Sequence, residues 1–270
     1  YIPEITSGRF QAASFARSEA GAGSDAGSMK TTARRDGESW VINGEKAWIT
    51  SGPRAGVFVL WARTGGEGTA GISAFLVEPG VQGFSIGRHE DKLGLRASET
   101  VSLIFEDCRL PADALLGELN RGFRIAMMAL DGGRLGIASQ SLGISRAAIE
   151  EATAYAKERK QFGRPIADFQ AIQWMLADSA TEWEAGHLLL LRAAWLNDQG
   201  RPFSKEASMA KVFASEKANV ICARCFQIHG GYGFVKEYPI ERHLRDVRVT
   251  TIYEGTSEVQ RLVISRQLLK

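Results

Sequence analysis

A short stretch near the C-terminal end, residues 253–258 with the sequence YEGTSE, contains residue types that could catalyse a proton transfer. Glu254 lies beside Gly255, directly before a helical pattern. A glycine lets a ligand approach the backbone and a helix N-terminus presents oriented N–H groups, so a carboxylate here could act as a general base. The same glutamate could instead be a first-turn charge that complements the helix dipole. The hexapeptide alone leaves both interpretations open.

Four other stretches combine glycine, aromatic or cationic residues in ways that suit a bound ligand. Residues 19–25 (EAGAGSD) form a glycine-rich loop, but the Gly-Lys-Ser/Thr of a phosphate-binding loop is absent. Residues 48–52 (WITSG) end a predicted strand with an indole and two hydroxyls. Residues 158–163 (ERKQFG) place cations at a helix end, and residues 227–233 (QIHGGYG) contain more glycine than one C-cap requires. Plain turns, a core tryptophan and dipole-complementing cations would also explain these stretches.

The bulk composition is that of an ordinary globular protein. The chain has 270 residues, a hydrophobic content of 44%, a charged content of 24% and a net charge of +2. Nothing in this balance indicates a nucleic acid or an anionic membrane as partner. No apolar run approaches the ~20 residues that span a bilayer, so we predict no membrane insertion. The three cysteines favour a reducing compartment over a disulfide framework.

The cysteines and histidines lack the spacing of a metal site. Cys222 and Cys225 have C-x-x-C spacing, but zinc needs further ligands and no second pair exists, so we predict two core thiols on a helix. None of the four histidines has a partner at metal-ligand spacing. We therefore predict no metal and structural roles for the histidines.

Strand patterns occupy the first part of the chain and helical patterns the second. Up to about Pro111, short β-branched and aromatic runs alternate with Gly, Pro and Asp, and Asn43-Gly44 predicts a hairpin. Apolar periodicity then predicts helices at 122–158, 166–196, 203–228, 237–247 and 258–269. We therefore predict an α+β fold. An antiparallel β-barrel or sandwich domain (1–113) precedes an antiparallel α-helical bundle (114–270).

Together, these stretches resemble the acyl-CoA dehydrogenase family of flavoproteins, in its middle β-domain and C-terminal helical domain. The resemblance covers essentially the whole chain, and six strings follow in family order with family spacing. They are SEAGAGSD (18–25), WIT (48–50), FEDC (105–108), RKQFG (159–163), QIHGGYG (227–233) and IYEGT (252–256). Each string is weak alone, but their order is specific to the family.

The resemblance implies FAD as the cofactor and assigns residues to it. Phe15, Arg17 and Ser18 would lie along the strand that faces the flavin ring, with Trp48 and Thr50 beside the ring. The other residues at cofactor-contacting positions, some toward the FAD of a neighbouring subunit, are Arg159, Gln161, Phe162, Gln227, Gly230, Gly231, Thr256 and Glu258.

The resemblance also implies a reaction, the α,β-dehydrogenation of an acyl-CoA thioester. Glu254 would remove the α-proton, its backbone N–H would help to hold the developing enolate oxygen, and hydride would pass to flavin N5. One family variant carries the base on the long helix just before the position of Arg134. That position is Gly133 here, which favours Glu254 and short-chain or short branched-chain members. The implied substrate contacts are Ser24, Asp131, Arg134, Tyr253 and Gly255.

The family pattern also implies partners and location. An electron-transfer flavoprotein would accept the electrons, the protein would be a homotetramer, and the compartment would be the bacterial cytoplasm or the mitochondrial matrix. An acyl-CoA oxidase is the close alternative, and a non-catalytic subunit that binds FAD or only a partner is the alternative from another class. Arg17 and Ala20 depart from the aliphatic residue and the proline common at their positions. The family's N-terminal helical domain is not represented, so we expect upstream residues or a partner chain to supply it.

Overall fold

Eight strands in the first part of the chain form one mixed sheet. The computed structural model describes residues 1–270. The strands are β1 (Ala12–Ala16), β2 (Thr32–Asp36), β3 (Ser39–Thr50), β4 (Ala55–Arg63), β5 (Ile72–Val77), β6 (Phe84–His89), β7 (Thr100–Pro111) and β8 (Leu115–Leu116). They pair in the order β6-β7-β3-β2-β4-β5-β8, and β1 adds to β4. Most pairs are antiparallel, but β1 and β2 both run parallel to β4.

The core of the sheet centres on β4. This strand pairs with three others and is almost continuously apolar, as expected when both faces are covered. Phe58 and Leu60 are fully buried on it. The ring of Phe84 lies 5.1 Å from that of Phe58 and 5.2 Å from that of Phe105, which ties β4 to β6 and β7.

The hairpin predicted at Asn43-Gly44 is wrong. Both residues lie inside β3, and the β2–β3 connection turns instead at Gly37, which has a φ of +59°. Gly44 lies at a register shift against β7 and has a φ of +142°. The Asn43 side chain exchanges two hydrogen bonds with Asp107, at 3.0 and 2.8 Å. A glycine with positive φ serves a β-bulge as well as a tight turn, so the local signal was ambiguous.

Five of the six helices lie in the second part of the chain, and the predicted ones are present. The helices are α1 (Ile2–Thr6), α2 (Gly122–Glu158), α3 (Gln170–Asp198), α4 (Ser204–His229), α5 (Ile240–Val247) and α6 (Ser257–Leu268). A two-stranded hairpin of β9 (Lys160–Gln161) and β10 (Arg164–Pro165) connects α2 to α3. The predicted α+β class, a β-domain followed by a helical domain, is confirmed. The five-residue α1 was not predicted.

Small residues let three long helices approach closely. Ala210 and Ala214 of α4 pack in one buried cluster with Ala138 of α2 and Ala193 of α3. Because alanine adds little bulk and has the highest helix propensity, the same residues favour both the helix and its close packing. None of the helices combines the length and hydropathy of a bilayer-spanning segment.

The chain divides into two compact units. The first comprises Tyr1–Lys92 and Arg96–Met128, and the second Leu93–Leu95 and Ala129–Lys270. The short segment Leu93–Leu95 belongs to the second unit, in which Leu95 N–H donates to the Asp246 carboxylate at 2.6 Å. The predicted domain boundary after residue 113 stays a prediction.

We expect Gly44→Ala to destabilise the protein by about 1–3 kcal/mol. A Cβ at this position would lie 2.7 Å from Cα of Thr31, and a φ of +142° strains any residue other than glycine. Gly66→Ala is the control, because nothing lies within 4 Å of its Cβ position. Urea unfolding of both variants measures the difference, and equal midpoints would contradict the steric argument.

Candidate active site

Glu254 and Gly255 form a turn directly before α6. Both residues have left-handed backbone, with φ of +52° and +88°. Thr256 caps the helix by accepting the N–H of Val259 at 3.3 Å. The Gln260 side chain donates to the carbonyls of Glu254 and Gly255, at 3.1 and 2.8 Å. A glutamate in this backbone region is strained, so its neighbours have to hold it there.

The Glu254 side chain lies against α2 at Gly133. A Cβ on Gly133 would lie 3.0 Å from the carboxyl carbon of Glu254, so the absence of a side chain at Gly133 leaves room for the carboxylate. The same turn of α2 carries an ion pair, in which Arg134 Nη1 lies 2.5 Å from Asp131 Oδ1. Asp131 also accepts the Ser204 hydroxyl at 2.8 Å. Two of the predicted substrate residues, Asp131 and Arg134, thus lie on the helix that faces the predicted base.

Buried cations surround the turn. Lys211 of α4 is fully buried, and its Nζ donates to the carbonyl of Gly255 at 2.7 Å. Burial lowers the pKa of Lys211 to about 8, while the charge of Glu254 opposes this shift. Burial also lowers the pKa of Arg134, against the opposing charges of Asp131 and Glu254. The nearby carboxylates therefore offset part of the desolvation cost of both cations.

Tyr253, another predicted substrate residue, is anchored to α2. Its hydroxyl donates a hydrogen bond to Oε1 of Gln140. Burial raises the pKa of Tyr253 to about 12, with a further contribution from Glu254. The hydroxyl is therefore a donor throughout the neutral range. Four of the five predicted substrate residues, all except Ser24, lie in or facing the turn.

In the β-domain, the chain after β1 lies beside the end of β3. Ala47 N–H donates to the Ser18 carbonyl at 2.9 Å, and the Ser14 hydroxyl donates to the Thr50 carbonyl at 2.7 Å. Trp48 has a φ of +64°, and 61% of this residue is exposed. The predicted flavin residues of the two segments are therefore neighbours, and the flat indole of Trp48 is exposed.

The glycine-rich loop folds back onto the same region. Arg17 Nη2 donates to the Gly23 carbonyl at 3.1 Å, next to Ser24. The ring of Phe15 lies 4.3 Å from that of Trp61. Phe15 is only partly buried and Ser24 is exposed, so both remain accessible.

A buried ion pair between Glu19 and Lys46 fixes this loop. Lys46 Nζ lies 2.8 Å from Glu19 Oε1 and also donates to the Arg17 carbonyl at 3.2 Å. The Glu19 carboxylate accepts the N–H groups of Lys30 and Thr31, at 2.6 and 3.0 Å. Burial lowers the pKa of Lys46 to about 8 against the attraction of Glu19. Burial alone would raise the pKa of Glu19, but Lys46 and the amide donors hold it below its usual value.

A third group of predicted cofactor residues lies in the helical unit. The Arg159 guanidinium lies 5.1 Å from the ring centre of Tyr232. Phe162 has a φ of +52° and is 93% exposed, and Gly230, whose N–H bonds to the Gln227 carbonyl, has a φ of +58°. Two further predicted cofactor residues, Gln161 and Gly231, lie next to Phe162 and Gly230 in the chain. The β9–β10 hairpin and the end of α4 therefore form one exposed patch.

The last two residues predicted to contact the cofactor border a surface cleft of about 430 Å³. It is lined by Glu216, Asn219, Arg248, Thr251, Ile252, Thr256, Ser257 and Glu258. Thr256 and Glu258 therefore border a cavity, which also contains the Arg248 cation.

Two cysteines and one histidine of α4 lie buried in the helical unit. Cys222 and Cys225 are buried free thiols in the α4 core, and burial raises the pKa of both. The His229 ring stacks on Tyr155 at 4.4 Å, and its Nδ1 lies 2.8 Å from the Cys225 carbonyl. No group of three or more potential ligands is arranged to hold a metal ion.

Two family models match the chain. The model for the acyl-CoA dehydrogenase middle domain matches residues 14–108, and that for the acyl-CoA dehydrogenase C-terminal domain matches residues 120–269. The chain belongs to the acyl-CoA dehydrogenase family. The family resemblance of the sequence is thereby confirmed.

Individual family members are similar over most of this chain. The mitochondrial short-chain specific acyl-CoA dehydrogenase of Bos taurus is 56% identical over 95% of the chain and 62% of the relative. The caffeyl-CoA reductase-Etf complex subunit CarC of Acetobacterium woodii is 53% identical over 100% of the chain and 71% of the relative. The structure of butyryl-CoA dehydrogenase from Megasphaera elsdenii matches with a TM-score of 0.98 and 42% identity. The match covers 100% of this chain and 71% of the other. The chain thus spans between 62% and 71% of these proteins' lengths.

The candidate residues fit the cofactor of this family. Acyl-CoA dehydrogenases are FAD-dependent flavoproteins, so the prediction of FAD is confirmed at the level of the family. The exposed indole of Trp48 suits a flat ring system. Nothing lies within 4 Å of a Cβ on Gly230 or Gly231, so a ligand can approach that backbone, and Arg159 supplies a cation nearby.

Three of the side chains that hold predicted site residues in place, one in the first unit and two in the second, were not predicted from the sequence. Lys46, Lys211 and Gln260 are fully buried. Lys211 lies among the alanines on the buried face of α4. A lysine at a core position of a predicted helix was therefore a signal in the sequence that could have identified it. Its partner lies 44 residues further along the chain, which helical periodicity does not report.

We expect Lys46→Met to lower the free energy of unfolding by about 3–5 kcal/mol, because it leaves the Glu19 charge buried without its cation. Glu19→Gln/Lys46→Met should recover part of this loss, since the amide oxygen still accepts a backbone N–H and no charge stays buried. Chemical unfolding at pH 7 measures both variants. A double variant less stable than Lys46→Met would contradict the ion-pair explanation.

Proposed function

We propose that this chain carries the FAD-dependent α,β-dehydrogenation of short-chain acyl-CoA thioesters, with Glu254 as the base. The observation that supports this best is the carboxylate on a strained left-handed turn, lying against Gly133 of α2. Relatives named as short-chain specific or butyryl-CoA dehydrogenases support the substrate class. Gly133 is also consistent with Glu254 as the base, because glycine offers no side chain to take that role.

The residues around Glu254 suit the removal of a weakly acidic proton. Glu254 accepts the α-proton, and its backbone N–H donates to the oxygen on which negative charge develops. The buried cations Arg134 and Lys211 stabilise the carboxylate before the proton arrives. When bound, FAD accepts the hydride that leaves the β-carbon. Trp48 and Thr50 orient the flavin ring, and Ser24 contacts the thioester end.

The reverse reaction is a second candidate. One relative at 53% identity is named a caffeyl-CoA reductase-Etf complex subunit. In that direction a reduced flavin would have to supply the hydride to the β-carbon, and Glu254 would deliver the α-proton instead of removing it. Assays of butyryl-CoA oxidation and crotonyl-CoA reduction with the same preparation decide which direction is faster.

We further propose an electron-transferring flavoprotein as redox partner and a homotetramer as the assembly. The partner rests on the Etf complex in the name of that relative. The assembly rests on the exposed patch around Arg159, Phe162 and Gly230, which would contact the FAD of a neighbouring subunit. Rapid reoxidation of the reduced protein by air would instead identify an acyl-CoA oxidase, and a protein that keeps FAD without turnover would be a non-catalytic subunit.

Glu254→Gln should keep bound FAD and lose dehydrogenation by a factor of at least about 10²–10⁴. The amide preserves the shape of the side chain but cannot accept the α-proton. Bleaching of the flavin absorbance by butyryl-CoA measures the reaction, and flavin content is the control. Bleaching at the wild-type rate would refute the assignment of the base.

Gly133→Ala should lower kcat by about 10–100-fold, because the new methyl group displaces the Glu254 carboxylate. Gly136→Ala is the matched control on the same helix, since nothing lies within 4 Å of its Cβ position. The control should gain up to about 1 kcal/mol in stability from helix propensity at unchanged kcat. Equal kcat values for the two variants would contradict the proposed place of the carboxylate.

A further inference from the structure

Two side chains without a predicted role hold both carbonyls of the Glu254–Gly255 turn. Lys211 Nζ donates to the Gly255 carbonyl at 2.7 Å. The Gln260 amide donates to the same carbonyl at 2.8 Å and to that of Glu254 at 3.1 Å. Three hydrogen bonds, made from α4 and α6, therefore converge on two successive carbonyls.

Both side chains are placed at a cost to stability. Each is fully buried, and Lys211 stands among the alanines of the α4 core. Gln260 Oε1 is buried and has no hydrogen-bond partner. Apolar residues of similar size would avoid both desolvation penalties. The benefit has to come from the turn, whose left-handed glutamate is strained by itself.

The two residues differ in charge, which separates two effects. Gln260 is neutral and acts on the turn through geometry alone. Lys211 adds a positive charge that interacts with Glu254 of the turn, Arg134 of α2, Glu258 of α6 and Glu216 of its own helix. Removing Lys211 therefore changes both the position and the charge balance of the carboxylate.

We propose that Lys211 and Gln260 are positioning residues that lock the left-handed Glu254–Gly255 turn, and that Lys211 in addition keeps the Glu254 carboxylate ionised. This inference rests on the proposed role of Glu254 as the base. Neither side chain has to touch the substrate. Their effect is on where the carboxylate lies and on the pH at which it is ready to accept a proton.

The first test needs no turnover. Hydrogen–deuterium exchange is measured on the full-length holoenzyme without substrate for wild type, Lys211→Met, Gln260→Met and the control Lys217→Met. Lys217 is a lysine of the same helix that pairs with Glu182 at 2.6 Å. We expect exchange at residues 253–257 to be at least about tenfold faster in the first two variants and unchanged in the control. Wild-type exchange in both turn variants would overturn the proposal.

The second test uses the full-length holoenzyme and butyryl-CoA over a range of pH. Gln260→Met should lower kcat by about 10–100-fold with little change in KM and no shift of the acidic limb of kcat/KM. Lys211→Met should lower kcat similarly and move that limb to higher pH by about 1 unit, because a cation near the carboxylate is gone. An unshifted limb in Lys211→Met would refute the charge role, and wild-type kcat in both variants would refute the positioning role.

The two tests also separate this inference from the proposed function. A wild-type holoenzyme that turns over no acyl-CoA, or a fully active Glu254→Gln variant, would remove the proposed function. The exchange data would still decide whether the lysine and the glutamine hold the turn. If Lys211→Met fails to fold, Gln260→Met decides the positioning role by itself, and Lys211→Gln carries the pH measurement.

Discussion

The strained turn at Glu254 and Gly255 is the constraint around which the helices of the second unit are arranged. Two successive left-handed residues are unfavourable when the first is a glutamate. The strain is held by contacts from three helices: Gly133 of α2 leaves space, Lys211 of α4 donates a hydrogen bond, and Gln260 of α6 donates two. These helices therefore hold one short turn in place. Close alanine packing of α2, α3 and α4 fixes the positions of those helices relative to one another.

The same turn has two buried cations as neighbours in the helical unit. Arg134 and Lys211 are both buried there, and their pKa values are lowered because desolvation outweighs their carboxylate partners. Such groups weaken a fold when they are considered as core residues. Around the proposed base Glu254 they would supply a fixed electric field in a region of low dielectric constant, where charge is most effective. The β-domain shows a similar arrangement in its Glu19–Lys46 pair, which fixes the loop of predicted ligand contacts.

Much of the fold could be predicted because its signals are local. Helix α2 ends where its proline-free periodicity ends, and the other predicted helices differ from the observed ones by at most four residues at either end. The bulge at Gly44 was misread as a turn, since both use a glycine with positive φ. The parallel pairing of β1 with β4 and the contact of Lys211 with Gly255 join distant parts of the chain. No periodicity reports such pairs, so only the structure could identify them.

The segment Leu93–Leu95 has a consequence for how such proteins are divided and recombined. The two family models end and begin as continuous stretches, at residues 108 and 120, yet three residues from within the first stretch are packed into the second unit. A side chain on Gly94 would meet the Arg245 carbonyl at 2.5 Å, and the Leu93 carbonyl accepts from Arg245. A chimera joined at one point between the two halves would therefore pair a foreign loop with α5. Part of the packed surface of the helical unit is therefore encoded within the stretch that matches the middle-domain model.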